Sequence, residues 1–369
     1  MKGNPSRLGL IVNPIAGMGG RVGLKGTDGE EILAKALELG ARPVAPARAV
    51  EFLRELARLG AGFRLLTYPG SMGEEEAGEA GLVPEVVGRI SERTTAEDTR
   101  RAAAELVEDG VELLLFVGGD GTARDVQAAV EERVPVLGIP AGVKNYSAVF
   151  ASTPRAAAEL VIKFLRGEVP LRRAEVMDVD EEAYRSGRLY ARLYGHLLIP
   201  YEPVLVPGAK QASGEEEQDQ QEAIAKYVAE LVEPGVTYIL GPGSTLEAVA
   251  RALGVKKTLR GVDVFRDGRM VLADANEAQL LREAEAGKCV ILVSPLGGQG
   301  FILGRGSQQI SPEVIRRVGK GNVWVLATPQ KLSDTQLRVD TGDPELDEEF
   351  RGYLKVITGY REFRVCRVI

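Results

Sequence analysis

One stretch of the chain combines a glycine-rich loop, of a kind that can bind phosphate, with a single acidic residue. Residues 111–122 read VELLLFVGGDGT, in which six apolar residues run into three glycines placed around Asp120. A short apolar run closed by glycines predicts a buried parallel strand that ends in a tight loop, here before a helical pattern. Glycine lets the backbone approach an anion and present N–H groups to it. An acid there repels phosphate unless it binds a metal, accepts a proton or holds a sugar hydroxyl, so Asp120 is the candidate chemical group.

Two more loops follow apolar runs and carry polar groups. The run Leu8–Val12 ends in Asn13, Pro14 and a glycine-rich stretch, and the run Val134–Ile139 ends in the sequence PAGVKNY. The second of these loops contains Gly142, a lysine that can neutralise phosphate and an amide that can bind a hydroxyl, Lys144 and Asn145. Because the carboxyl ends of parallel strands meet at one sheet edge, these loops and the Asp120 loop are expected to line one ligand site.

The second half of the chain repeats the strand–glycine–helix pattern. The apolar run at 237–240 is followed by GPGST, with Gly241, Gly243, Ser244 and Thr245, which predicts either an anion site at a helix N-terminus or a plainly capped helix. A later glycine-rich loop contains Gly297 and Gly298. The pair Asn276 and Glu277 is either a substrate-binding pair or a helix start with the asparagine as N-cap.

The elements that must position these residues alternate strand and helix. With 369 residues the chain is too long for one ordinary core. We expect an N-terminal α/β nucleotide-binding domain over residues 1–150, with a parallel sheet, and a second mixed α/β domain over residues 151–369. The ligand cleft is expected between them, and the last ~30 residues are expected to return to the first domain, within the usual error of sequence-based boundaries.

Composition excludes several classes of function. The formal net charge of −7 argues against nucleic-acid binding, which needs a basic surface. The same charge suits a cytoplasmic protein kept soluble by repulsion. No apolar run approaches the roughly 20 residues of a membrane helix. The two cysteines cannot build a disulfide framework or a cysteine zinc site. A Ser-His-Asp catalytic triad would depend on the single histidine, His196, which we expect to be a partly buried strand residue.

Phosphoryl transfer suits the remaining groups. It needs positioned phosphates, a divalent metal and a group that orients or deprotonates the attacking hydroxyl. Asp120 fits the last role or the metal role, with Arg124 and Lys144 as nearby cations. Mg²⁺ keeps several waters and takes only one or two protein carboxylates, so a single acid is compatible with it. The first loop contains neither GxGxxG nor GxxxxGK[ST], so this loop does not support an ordinary dinucleotide fold or a P-loop.

The three loops together carry a resemblance. In this order, IVNPIAG, FVGGDGT and GIPAGVKN resemble the superfamily of NAD kinases, diacylglycerol kinases and sphingosine kinases. The segments GPGST, GVDVFRDGRMVLADANE and SPLGGQGFILGRG are similar to the predicted ATP-dependent NAD kinase branch of archaea and some bacteria. The resemblance covers nearly the whole chain. One departure is that ordinary NAD kinases carry an Asn-Glu pair soon after the second glycine loop, whereas Asn276 and Glu277 lie far downstream. Another is that their second domain is all-β.

The resemblance implies a reaction and roles for residues. It implies transfer of a phosphoryl group from ATP, or from polyphosphate, to the 2′-hydroxyl of NAD, with a divalent cation such as Mg²⁺ and Asp120 acting on the hydroxyl. It assigns the phosphate loop to Gly118, Gly119, Gly121 and Thr122 and the first loop to Asn13 and Pro14. It suggests nucleotides as partners and a homo-oligomer. The alternatives are another acceptor (a nucleoside, a sugar or polyol, or a lipid) and a non-catalytic nucleotide-binding regulatory module.

Overall fold

In the computed structural model the chain forms two compact units. The described residues are 5–20, 22, 34, 36–60, 62–91, 94–141, 145–179, 191–202, 205–206, 215–258, 260–296 and 299–369. The N-terminal unit comprises Met1–Met18, Gly26–Glu38 and Arg42–Gly208, and the C-terminal unit comprises Gly19–Lys25, Leu39–Ala41 and Ala209–Ile369.

A five-stranded parallel sheet forms the centre of the N-terminal unit. Its strands are β1 (Ser6–Val12), β2 (Phe63–Thr67), β3 (Glu85–Val86), β4 (Leu113–Gly118) and β5 (Val136–Pro140). Their order is β3-β2-β1-β4-β5, and every neighbouring pair is parallel. All six residues of β4 are buried, as its unbroken apolar run predicts. Since β1, β4 and β5 are parallel neighbours, their carboxyl ends lie at the same sheet edge.

Helices and a hairpin surround this sheet. The helices are α1 (Ala45–Leu59), α2 (Glu74–Glu79), α3 (Ala96–Glu108), α4 (Asp120–Val130) and α5 (Pro154–Leu165), and the hairpin consists of β6 (Leu171–Val179) and β7 (Ala191–Pro200). The hairpin packs against α4 and α5 packs against α1. Buried apolar residues of α5, such as Leu160 and Val161, belong to the same core as the sheet. The compact unit therefore runs past residue 150, to Gly208.

The C-terminal unit is built on a seven-stranded mixed sheet. In chain order its elements are α6 (Glu215–Glu230), β8 (Thr237–Leu240), α7 (Ser244–Ala252), β9 (Asp263–Arg266), β10 (Arg269–Leu272), α8 (Glu277–Ala286), β11 (Cys289–Val293), β12 (Phe301–Leu303), α9 (Pro312–Val318), β13 (Val323–Leu326), α10 (Pro329–Asp334), β14 (Arg338–Val339), α11 (Pro344–Phe350), β15 (Gly352–Gly359) and β16 (Glu362–Val368). The sheet order is β10-β9-β8-β11-β13-β15-β16, and β12 pairs with β14 separately.

The middle of this second sheet is parallel and buried on both faces. Strands β8, β11, β13 and β15 run parallel to one another, while β9, β10 and β16 are antiparallel to their neighbours. Alternate residues of β11 enter two different cores, with Ile291 in one and Leu292 in the other. The last two strands complete this sheet, so the last residues of the chain belong to the C-terminal unit. None of the helices among the described residues has the length and apolar character to cross a membrane.

Candidate functional site

The first two glycine loops of the N-terminal unit are joined by hydrogen bonds. The side-chain amide of Asn13, just after β1, donates to Thr122 Oγ1 at 2.9 Å, and its carbonyl oxygen accepts the Ile15 N–H at 3.3 Å. Thr122 lies in the first turn of α4 and is buried. A Cβ on Gly118 would collide with the Thr122 side chain, so this close approach requires glycine at the end of β4. The asparagine and the threonine therefore link adjacent strand ends.

Asp120 joins the second loop to the third. Its two carboxylate oxygens accept the backbone N–H groups of Tyr146 at 2.7 Å and Ser147 at 2.9 Å. These residues follow the loop after β5. One peptide segment thus fixes the orientation of the carboxylate, which lies in the first turn of α4, where the N-cap is Gly119 and no side chain caps the helix. The described residues of the first two loops and those that flank the third therefore lie at one edge.

The environment of Asp120 favours its protonated form. Burial raises the pKa of this carboxyl to about 6, although hydrogen bonds from Ser147 and Tyr146 act in the opposite direction. The negative charge of Asp178 on β6 raises the pKa further. A carboxylate with a pKa of this size is close to the value that suits a general base at neutral pH. The pKa of Asp120 is therefore compatible with proton transfer near neutral pH.

The β6–β7 hairpin supports this carboxylate through two contacts. The Ser147 hydroxyl donates to the Met177 carbonyl oxygen at 2.8 Å and accepts the Met177 N–H at 3.0 Å. One residue on, Asp178 pairs with the Arg124 guanidinium at 2.7 Å. Arg124 lies one helical turn after Asp120, on the same face of α4. The hairpin thus holds both the segment that binds Asp120 and the nearest cation of α4 among the described residues.

Sequence reasoning missed part of this arrangement. The sequence indicates Arg124 as a nearby cation. It does not indicate Asp178 or Ser147, because these residues come from separate elements and follow no spacing rule. The only local signal is that Asp178 lies on a strand with polar alternation.

Some predicted site residues lie outside the described part of the chain. These are Gly142 and Lys144 of the third loop and Gly297 and Gly298 of the late glycine-rich loop. Asn145, at the boundary of the third loop, is described and is buried. Pro14 begins the turn after β1, and Gly121 lies in the first turn of α4 beside Asp120.

The predicted residues of the C-terminal unit fall into two groups. Gly241 and Gly243 follow β8, and Ser244 and Thr245 begin α7, so the strand–glycine–helix pattern is confirmed. Asn276, which does not follow a strand–glycine loop, is the N-cap of α8.

Asn276 and Gln279 form a reciprocal capping box. The Asn276 side chain accepts the Gln279 N–H at 3.0 Å, and the Gln279 side chain accepts the Asn276 N–H at 2.9 Å. Glu277 is then the first residue of the helix, where a negative charge suits the helix dipole. Capping thus accounts for the asparagine.

The donor set around Asp120 does not form a metal cage of its own. Among the described residues no group of three or more His, Cys, Asp or Glu side chains is placed to hold a metal ion. Both oxygens of Asp120 already accept backbone amides. Mg²⁺ is commonly held by substrate phosphates and one or two carboxylates. We therefore treat a divalent cation as part of the phosphoryl-donor substrate.

A parallel α/β sheet with glycine loops and one carboxylate of raised pKa at its carboxyl edge suits a small-molecule kinase. Two family models match the chain, the ATP-NAD kinase N-terminal domain over residues 8–169 and the ATP-NAD kinase C-terminal domain over residues 233–368. The chain belongs to the ATP-NAD kinase family. A comparison with curated proteins found no match.

Proposed function

We propose that this kinase transfers the terminal phosphoryl group of ATP to the ribose 2′-hydroxyl of NAD, producing NADP and ADP. The observation that carries the proposal is the Asp120 carboxylate, held by the Tyr146 and Ser147 amides at the edge where the glycine loops meet. Membership of the ATP-NAD kinase family supports NAD as the acceptor. It also supports a phosphoryl donor with a divalent cation.

The chemistry asks little of the protein beyond positioning and one proton transfer. As the acceptor oxygen bonds to the γ-phosphorus, its proton passes to Asp120, and the bond between the γ-phosphorus and the bridging oxygen breaks to release ADP. The divalent cation that accompanies the donor neutralises charge on its phosphates. Asp120 accepts the proton because its charged form is destabilised by burial and by Asp178.

We propose that the nucleotide lies along the strand-end loops of the N-terminal unit. Backbone N–H groups at an uncapped helix start attract phosphate oxygens, and glycines permit close approach. The contacting residues in this proposal are Asn13, Pro14, Gly118, Gly119, Gly121, Thr122 and Asn145. The Asn13–Thr122 hydrogen bond supports the proposal, because it holds the first loop against the start of α4.

The proposal is tested by a matrix of donors and acceptors. Purified protein is incubated with ATP or polyphosphate, Mg²⁺ and one acceptor at a time: NAD, a nucleoside, a polyol or a diacylglycerol in micelles. Products are separated by ion-exchange chromatography. The proposal predicts NADP with ATP as donor and a far lower rate with each other acceptor. Preferred turnover of a different acceptor would replace NAD, and nucleotide binding without turnover on any acceptor would indicate a regulatory module.

A further inference from the structure

Three adjacent strand ends of the C-terminal unit place polar side chains at one spot. Helix α7 begins after β8, Ser294 directly follows β11, and Lys331 lies in the helix that follows β13. These strands are neighbours in the sheet and run parallel, so their carboxyl ends share an edge. That edge is where open α/β sheets bind ligands. The C-terminal unit therefore has its own candidate binding edge.

Thr245 is the centre of this cluster. Its hydroxyl oxygen accepts a hydrogen bond from the Lys331 ammonium at 3.1 Å and one from the Ser294 hydroxyl at 3.3 Å. Thr245 and Ser294 are buried, whereas the Lys331 side chain is 19% exposed to solvent. A cation thus lies beside two hydroxyls that come from two other strand ends.

A glutamate and a glutamine hold the lysine side of the cluster. Glu217 Oε1 on α6 lies 3.7 Å from Lys331 Nζ, and only 7% of its side chain is exposed. Gln221, one turn later, donates to Glu217 at 3.3 Å and to the Ser244 hydroxyl at 3.2 Å. A lysine oriented by a glutamate is also how protein kinases position the cation that contacts nucleotide phosphates. The arrangement therefore pre-positions an ammonium group.

The backbone beside this cluster leaves room for an anion. Gly243, the N-cap of α7, has φ +113° and ψ 163°, a conformation that glycine adopts and other residues avoid. The nearest atom to a Cβ placed there would be the Leu296 Cδ2, at 3.9 Å. No side chain caps α7, which has nine residues. The space in front of Gly243 is therefore open next to unbonded amides at a helix start.

We infer that Lys331, Ser244 and Ser294 form a phosphate-binding site of the C-terminal unit, which takes a phosphate group of a nucleotide substrate, and that the fully buried Thr245 holds Lys331 and Ser294 in place. The ligand class follows from the Lys331 ammonium, the serine hydroxyls and the start of α7, which are the kinds of group that bind an oxyanion. Which nucleotide it holds rests on the proposed function. Lys331 binds the phosphate oxygens, and Glu217 keeps the lysine oriented toward them. A purely structural cluster would affect stability but not ligand affinity.

Isothermal titration of the full-length protein with ADP, NAD and inorganic pyrophosphate tests the inference. For the probe that uses this site, Lys331→Gln raises Kd about 10- to 100-fold, the usual effect of losing a hydrogen bond to a charged group. Ser294→Ala raises it less, and Lys331→Arg keeps most of the affinity. The matched control is Lys288→Gln, which removes an exposed lysine paired with Glu233 and leaves every Kd unchanged. The three probes distinguish the donor nucleotide, the acceptor and free phosphate as sources.

The outcomes separate this inference from the proposed function. A wild type that binds none of the probes overturns the inference, as does an unchanged Kd for every probe in Ser294→Ala and in folded Lys331→Gln protein. If Lys331→Gln does not fold, Ser294→Ala decides the question. Lys331-dependent ADP binding without NADP formation would keep the inference and reject the proposed function. NADP formation with Kd values that neither Lys331→Gln nor Ser294→Ala changes would keep the proposed function and reject the inference.

Discussion

At the scale of single residues, the chemistry depends on how Asp120 is held. The acid and its glycines could be predicted from sequence because they occupy consecutive positions between a buried strand and a helix. The groups that set its properties come from elsewhere: Ser147 and Asp178 lie 27 and 58 residues downstream (147 − 120 and 178 − 120) and reach the site only through the fold. Their contribution could not be predicted, since it depends on how the β6–β7 hairpin packs on α4.

Asp120 predicts a defined pH dependence. The carboxylate must be deprotonated to accept a proton, and burial together with the Asp178 charge raises its pKa to about 6. The value of kcat/KM for NADP formation should therefore rise with pH up to a midpoint near that pKa and be level above it, because kcat/KM reports the free enzyme. Measurement of initial rates across the acid and neutral range at constant ionic strength checks this.

Asp178→Asn provides the comparison for that profile. It removes the like charge beside Asp120 and releases Arg124 from its ion pair, and both changes favour the deprotonated acid. The midpoint should move to lower pH. A wild-type rate that does not change with pH across this range would contradict the role given to Asp120.

At the scale of secondary-structure elements, helix caps and turns could be predicted from the sequence because residues close together in the chain form them. Thr95 and Asp98 have the three-residue spacing of a capping box and form one at the start of α3. Thr153 caps α5, and Asp267 with Gly268 turns the β9–β10 hairpin. The segment 83–90 has strand-like apolar residues, yet only Glu85–Val86 pairs. Its short pairing is decided by the edge position of β3 beside β2, which no local pattern shows.

The α3 cap predicts a large effect from one substitution. Asp98 is buried and accepts hydrogen bonds from Thr95 and Ser91, and it pairs with Arg101. Asp98→Ala should lower the free energy of unfolding by about 2–4 kcal/mol, because it removes the cap and leaves polar partners unsatisfied. The exposed neighbour Glu97, paired with Arg100, is the control, and Glu97→Ala should cost less than about 0.5 kcal/mol. Chemical denaturation measures both.

The Asp98 carboxylate also predicts how acid changes the stability of the protein. Burial acts to raise the pKa of Asp98, but its hydrogen bonds outweigh this and lower the pKa to about 2. Its stabilising contribution is present above the unfolded-state value of about 4 and is lost as the pH falls toward 2. The difference in stability between wild type and Asp98→Ala should therefore shrink in acid. Equal losses for Asp98→Ala and Glu97→Ala at neutral pH would contradict this account.

At the scale of the whole molecule, the chain forms two compact units with separate cores. The alternation of strands and helices predicted the α/β class and a second mixed domain, as the structure shows. The extent of the first unit depends on α5 and the β6–β7 hairpin, which join its core through contacts between elements distant in sequence. Sequence periodicity identifies such elements but does not show which core they enter.

Separate cores predict that each unit can be perturbed on its own. Leu53 is fully buried in the N-terminal core and Ile291 in a C-terminal core. Each substitution to alanine should cost about 2–5 kcal/mol. Differential scanning calorimetry should show Leu53→Ala lowering the Tm of one transition and Ile291→Ala lowering that of another. A single transition that both variants shift equally would show that the cores unfold together.

The most direct test of the central claim compares NADP formation by the wild type and by Asp120→Asn, with NAD, ATP and Mg²⁺ at saturating concentrations. The asparagine keeps the shape of the side chain but cannot accept the proton of the acceptor hydroxyl. The account predicts NADP formation by the wild type and a loss of about 10²- to 10⁴-fold in kcat for the variant, the usual contribution of general base catalysis. An inactive wild type, or a variant that retains the full rate, would contradict it.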